Sequence, residues 1–239
     1  PEFAKAHVAW LKALVVHLAE LGVGYDGFAL YPVDEPGLSQ GLIEIFLLYA
    51  GLAREADPNI RVYTDPVKGI TLDELKQIAP YVDIWCQNRG SFLLDKENEK
   101  LDFIKGTGKP VWTYECADNA KHLSPLGYYR GQAWLARRHG LTGIGFWSYC
   151  TSSDDPWFRP MLSLDYLLIY QGGGVVASKR WEAIRDGIED YSMLNALESA
   201  ADAAEKEGRA PEAVAAAKAL LKEDVTDIAG FCANEGGVI

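Results

Sequence analysis

The first place where the chain sets two ionisable groups to work together is Asp34-Glu35, within Tyr31-Pro32-Val33-Asp34-Glu35-Pro36. Adjacent side chains on a regular strand point to opposite faces, but at a strand end before a proline the backbone can turn both carboxyls toward one site. Carboxyls so close repel, and repulsion with partial burial raises the pKa of one member of such a pair, as a general acid at neutral pH requires. The competing reading is a solvated helix start, where acids sit well on the helix dipole. Tyr31, Pro32, Val33 and Pro36 make the surroundings too apolar for an ordinary surface cap.

Further polar groups follow later apolar runs: Asp65, then Gln87 and Asn88, then Glu115, then Ser148 and Tyr149. Aromatic residues interleave with them: Tyr31, Tyr63, Trp85, Trp112, Tyr114, Trp147, Tyr149 and Trp157. Aromatics beside carboxyls suit a sugar, whose C–H faces pack on rings while its hydroxyls need hydrogen-bonding partners. Strand alternation turns about half of these rings outward, and Trp147 and Tyr63 are the two expected to face a pocket. The candidate substrate-binding set is thus Tyr31, Tyr63, Asp65, Asn88, Glu115, Trp147 and Tyr149, around catalytic Asp34 and Glu35.

Other chemistries find less support. His7 and His17 lie on an opening helix, and His122 and His139 have no carboxylate or Cys at ligand spacing. Cys86, Cys116, Cys150 and Cys232 form no C-x-x-C pair and read as buried free thiols. Neither a metal nor a cofactor is expected, no G-x-S-x-G elbow supports a serine triad, and no G-x-G-x-x-G follows a strand. Among 239 residues, 23 Lys and Arg stand against 34 Asp and Glu, a net charge of -11 that opposes nucleic acid. The longest apolar runs fall far short of the ~20 residues of a membrane helix, so a soluble chain is expected. A composition 49% hydrophobic and 24% charged suits one sizeable globular core and excludes disorder.

The elements that must position these residues alternate. Val8, Leu11, Leu14, Val15, Leu18 and Leu21 follow helical spacing, with Gly22 as the stop. Strands are expected at 28–33, 60–64, 82–86, 110–115 and 143–149, and helices at 38–56, 72–78, 95–105 and 128–139. Thr71 with Glu74 forms a capping box ahead of the second of these helices. After Gly172-Gly173-Gly174 come a helix at 179–197 and further helices to about 222. Such alternation gives parallel βαβ units in an open doubly wound sheet or a β/α barrel. In a barrel the carboxyls would gather at the C-terminal ends of the strands, with the polar loop 151–159 among the active-site loops.

The strand end Tyr31–Pro36 and the stretch Arg180-Trp181-Glu182-Ala183-Ile184-Arg185-Asp186-Gly187-Ile188-Glu189-Asp190-Tyr191 resemble the C-terminal part of the family 123 glycoside hydrolases and related uncharacterised catalytic-like domains. The resemblance implies an α/β fold, a (β/α)8 TIM-type barrel, of which the five parallel strands read above over residues 1–177 would form a part. A C-terminal helical segment, 178–239, would pack on it. It also implies cleavage of N-acetyl-β-galactosaminides by substrate assistance. The substrate's acetamido oxygen would attack the anomeric carbon, Asp34 would orient the amide, and Glu35 would protonate the leaving oxygen. A second placement resembles the clan A retaining glycosidases, with Glu35 as acid/base and Glu115 as nucleophile. A non-catalytic carbohydrate-binding barrel is the alternative outside enzymes.

Overall fold

The computed structural model describes residues 2–39, 41–93, 98–116, 122–150 and 166–235. The chain divides into two compact units, Pro1–Tyr114 and Glu115–Ile239. The expected loop 151–159, with Trp157, lies outside the described residues.

In the first unit α1 (Glu2–Glu20) buries Val8 and Leu11. It ends at Gly22, whose positive φ lets the amides of Val23 and Gly22 return to the carbonyls of Leu18 and Ala19, closing the last turn. The expected first strand shrinks to a single parallel bridge between Leu30 and Val62. Pro32 has no N–H to give a ladder, and from there the chain enters the turn that carries Asp34 and Glu35. The following helix, α2 (Leu42–Ala56), starts later than the proline suggests. Gly37 and Gly41 both take left-handed conformations, so Pro36 opens a turn instead of a helix.

Then come β1 (Tyr63–Thr64), α3 (Leu72–Ile78), β2 (Ile84–Asn88), α4 (Arg89–Phe92), α5 (Glu99–Gly106) and β3 (Val111–Glu115). The capping box is present: Thr71 Oγ1 accepts from the Glu74 amide at 3.2 Å, and Glu74 accepts from the Thr71 amide at 2.7 Å. The strands run parallel with Tyr63 opposite Ile84, Cys86 opposite Trp112 and Asn88 opposite Tyr114. Side-chain alternation therefore gives one face to Tyr63, Asp65, Cys86, Asn88, Trp112 and Tyr114, and the other to Val62, Thr64, Trp85, Gln87, Val111 and Thr113. Trp85 is fully buried and its indole donates to Thr107 Oγ1, just past α5, so the second face belongs to the helix layer. Trp85 is core, and the polar, aromatic face is the one that can meet a ligand.

Two devices hold the strand ends in register. At the N-terminal ends Arg54 Nη2 meets Asp83 Oδ2 at 2.5 Å, and that same oxygen accepts the Val62 amide at 2.8 Å. At the C-terminal ends the loops after Glu35 and after Asp65 touch through glycines. A Cβ on Gly69 would lie 2.0 Å from the Gly37 carbonyl oxygen, and one on Gly37 would lie 2.4 Å from the Ile70 amide nitrogen.

The second unit holds a π-helical segment (Pro125–Arg130), α6 (Gly131–His139), β4 (Gly143–Phe146), the antiparallel hairpin β5 (Ile169–Gln171) and β6 (Val175–Ala177), then α7 (Lys179–Lys206) and α8 (Pro211–Glu235). The hairpin turns on Gly172–Gly174 and was not expected from the sequence. Tyr128, Tyr129, Leu168, Ala183 and Ile184 form its core, with Ile144 and Phe146 packed against them.

The Arg180–Tyr191 stretch has a structural job here. Buried Arg180 donates to the Leu167 carbonyl and to Tyr170 Oη. Gly187 admits the Arg130 carbonyl where a Cβ would stand 2.7 Å away. Asp190 takes Arg130 at 2.6 and 2.8 Å and Trp134 Nε1 at 2.8 Å, and Tyr191 donates to the Leu141 carbonyl.

Two outcomes follow for stability. Gly69→Ala is expected to destabilise by about 1–3 kcal/mol, because backbone on the far side must move; an unchanged urea midpoint would contradict the close approach. Burial pushes the Asp190 carboxyl up, but the hydrogen bonds from Arg130 and Trp134 and the Arg130 charge outweigh it and hold the group below its ordinary value. Its contribution is therefore complete above the ordinary carboxylate pKa and is lost as pH falls below it. Asp190→Ala should cost about 2–3 kcal/mol at neutral pH, with the difference from the parent protein shrinking in acid denaturant titrations.

Candidate functional site

The Asp34-Glu35 turn is fixed from three sides within the first unit. Glu35 has φ 47, a left-handed conformation that is costly for a side-chain-bearing residue and persists only where neighbours impose it. Its amide donates to Asp65 Oδ1 at 3.0 Å. Its carboxyl accepts from the Tyr114 hydroxyl through Oε1. The Tyr31 hydroxyl meets Asp34 Oδ1 at 2.5 Å and also meets Asp65 Oδ2. The structure thus brings Tyr31, Asp34, Glu35, Tyr63 and Asp65 of the expected site into one cluster.

Aromatic rings form one side of it. Tyr31 stands edge-on to Tyr63 with centroids 5.2 Å apart, and Tyr63 lies 6.0 Å from Trp112. Tyr31 is exposed, Asp34 is exposed, and Tyr63 and Trp112 are partly so. The arrangement offers flat apolar surface directly beside carboxylate oxygens. Burial first, then hydrogen bonds to Asp34 and Asp65, push the Tyr31 phenol well above its ordinary pKa. Burial likewise raises Tyr63 and lifts the Cys86 thiol beneath it to about 12. Asp65 is 6% exposed and burial drives its carboxyl up to about 7, against the opposing hydrogen bonds from Tyr31 and the Glu35 amide.

The other expected residues are placed differently. Asn88 sits on the same strand face, but its Oδ1 caps α4, accepting from the Ser91 amide and hydroxyl at 3.1 Å. Glu115 alternates to the face opposite Tyr114, and its Oε1 accepts the Cys116 amide at 2.9 Å. In the second unit Trp147 follows β4 with its amide on the Glu115 carbonyl, and is 64% exposed. Tyr149 is half exposed and stands edge-on to Trp181 at 5.5 Å. Sequence reasoning placed Tyr114 and Trp112 among the aromatics without giving either a role; the signal was strand parity, which links both to Tyr63. Among the described residues no three His, Cys, Asp or Glu are grouped to hold a metal ion, and no helix is long and apolar enough to cross a membrane.

No curated protein matches the chain. Among solved structures, a family 123 glycoside hydrolase from Clostridium perfringens, described in connection with glycolipid glycan hydrolysis, is similar with a TM-score of 0.59 at 12% identity, over 94% of this chain and 45% of its own. An endo-beta-1,4-mannanase from Thermotoga petrophila is similar with a TM-score of 0.50 at 15% identity, over 77% of this chain and 49% of its own. At these identities the likeness concerns the fold, a partial TIM-type barrel of parallel strands and helices, and the chain spans about half the length of the structures it matches. The sequence model of the glycoside hydrolase 123 catalytic domain matches residues 1–197, through both the Asp34-Glu35 turn and the Arg180–Tyr191 helix, and the chain belongs to that family.

Proposed function

We propose that the protein hydrolyses β-linked N-acetylhexosaminides, of the N-acetyl-β-galactosaminide type, from the chain end by substrate-assisted catalysis with retention. Residues 1–177 would supply the C-terminal part of the barrel and 178–239 the helices packed on it. The observation that carries the reading is the Asp34-Glu35 turn, in which each carboxyl has its own phenol: Tyr31 for Asp34 and Tyr114 for Glu35. Two adjacent carboxyls held apart in this way can take two roles.

In the proposed reaction the sugar ring rests against Tyr63 and Trp112. Asp34 orients the 2-acetamido N–H and stabilises the positive charge that develops as the amide oxygen attacks the anomeric carbon. Glu35 gives a proton to the leaving oxygen, and as a carboxylate then takes one from the water that opens the cyclised intermediate. No second distant carboxylate is needed, since substrate assistance departs from the two-carboxylate scheme.

The test is a set of variants on paired substrates. Glu35→Gln should lower kcat on unactivated glycosides by roughly 10²- to 10⁴-fold, the usual reach of general acid catalysis, while sparing aryl glycosides with good leaving groups. Equal losses on both would remove Glu35 from the acid role. Asp34→Asn should be severe, because the developing oxazolinium ion loses its counter-charge, and Glu115→Gln mild. A thiazoline mimic of the cyclised intermediate should inhibit. A stable 2-fluoroglycosyl adduct on Glu115 would reverse the choice of nucleophile.

A further inference from the structure

Asp34, Glu35 and Asp65 form a carboxyl cluster in which, among the described residues, no Lys, Arg or His is hydrogen-bonded or ion-paired to any member. Such a cluster holds together only by sharing protons. The Tyr31 oxygen contacts both Asp34 Oδ1 and Asp65 Oδ2, yet a phenol has one proton to give. If Tyr31 donates to one carboxyl, the other contact needs a proton of its own, supplied by a carboxylic acid. Asp34 is solvent-exposed and Asp65 is not, so the neutral acid belongs on Asp65 and the charge on Asp34.

We infer that Asp65 is a positioning residue for both working carboxyls: its Oδ1 holds the Glu35 amide, and its protonated Oδ2 donates to Tyr31, whose own proton is thereby committed to Asp34. The inference rests on the assignment of Asp34 and Glu35 as the working pair. The two carboxyl oxygens of Asp65 serve different partners. The acceptor oxygen stabilises the left-handed backbone at Glu35, φ 47, which aims that side chain at Tyr114. The donor oxygen sets the direction of the Tyr31 hydrogen bond.

The groups packed around Asp65 come from three elements. From the turn it meets Tyr31, Asp34 and the Glu35 amide; Tyr63 comes from β1 and Cys86 from β2, with Tyr114 beyond Glu35 on β3. Burial drives the Tyr31 and Tyr63 phenols and the Cys86 thiol up, away from neutral pH, while Asp65 is moved to about 7. Above that pH Asp65 ionises, the Tyr31 proton is drawn between two carboxylates, and Asp34 loses its committed partner. Activity should therefore decline on the alkaline side through the Asp65 proton.

Two measurements test this, one of them without substrate. In the protein labelled with nitrogen-15, the Glu35 amide resonance should shift with a midpoint near 7, following the Asp65 carboxyl that accepts it. Asp65→Asn should abolish that titration, and Tyr31→Phe should keep the Glu35 amide bonded while moving the midpoint. A Glu35 amide indifferent to pH through this range would overturn the inference, whatever the activity.

In kinetics, Asp65→Ala should lower kcat by about 10²-fold with little change in KM, the scale of a misplaced catalytic group. Asp65→Asn offers a carbonyl to Glu35 and an NH2 to Tyr31, so it should recover most of that loss and shift the alkaline limb of the pH profile. Equal losses in the two variants, with an unchanged pH profile in Asp65→Asn, would overturn the positioning role. A parent protein inactive on all N-acetylhexosaminides would defeat the proposed function and leave the amide titration to judge the geometry.

Discussion

One phenol between two carboxyls constrains the candidate site more than any other contact. The Tyr31 hydroxyl reaches Asp34 on its own turn and Asp65 on the following strand end. With no cation in the cluster among the described residues, the arrangement favours shared protons, and burial of Asp65 raises the pKa of its carboxyl. Asp65 in turn holds the Glu35 amide, so the backbone carrying Asp34 and Glu35 depends on a residue about thirty positions away. A turn of Tyr-Pro-Val-Asp-Glu-Pro alone would have no reason to hold Glu35 in a left-handed conformation.

The fold makes that dependence possible by bringing consecutive strand ends close. Parallel strands joined by helices put every C-terminal end at the same edge, and the ladder Tyr63–Ile84 and Asn88–Tyr114 fixes which side chains share a face. The Gly37–Gly69 approach then draws the loop after Glu35 onto the loop after Asp65. Arg54 and Asp83 do the corresponding work at the other ends of the strands. In the second unit the Arg180–Tyr191 stretch works through packing and buried hydrogen bonds.

The local signals in the sequence transferred well where the forces are local. The Thr71–Glu74 box starts α3 where its spacing places it, and Gly22 closes α1. Asp34, Glu35, Asp65, Tyr31 and Tyr63 could be gathered from the simple rule that parallel strands deliver their ends to one edge. What the sequence did not disclose was parity and register. Tyr114 reaches Glu35 while Glu115 turns to its own neighbour, a one-residue difference that only the pairing of β3 with β2 decides. The strand expected at 28–33 is reduced to one bridge at Leu30 because Pro32 interrupts the apolar run. Asn88 looked like a ligand-binding amide, and the start of α4 claims its oxygen.

An Asp34-Glu35 pair working with the substrate's own acetamido group as nucleophile would turn over a β-N-acetylhexosaminide with retention. Proton NMR of the first sugar released from an unactivated N-acetyl-β-galactosaminide reads the retention directly, before mutarotation mixes the anomers. The account predicts that the β anomer forms first. First release of the α anomer would mean direct attack by water, and would contradict the account.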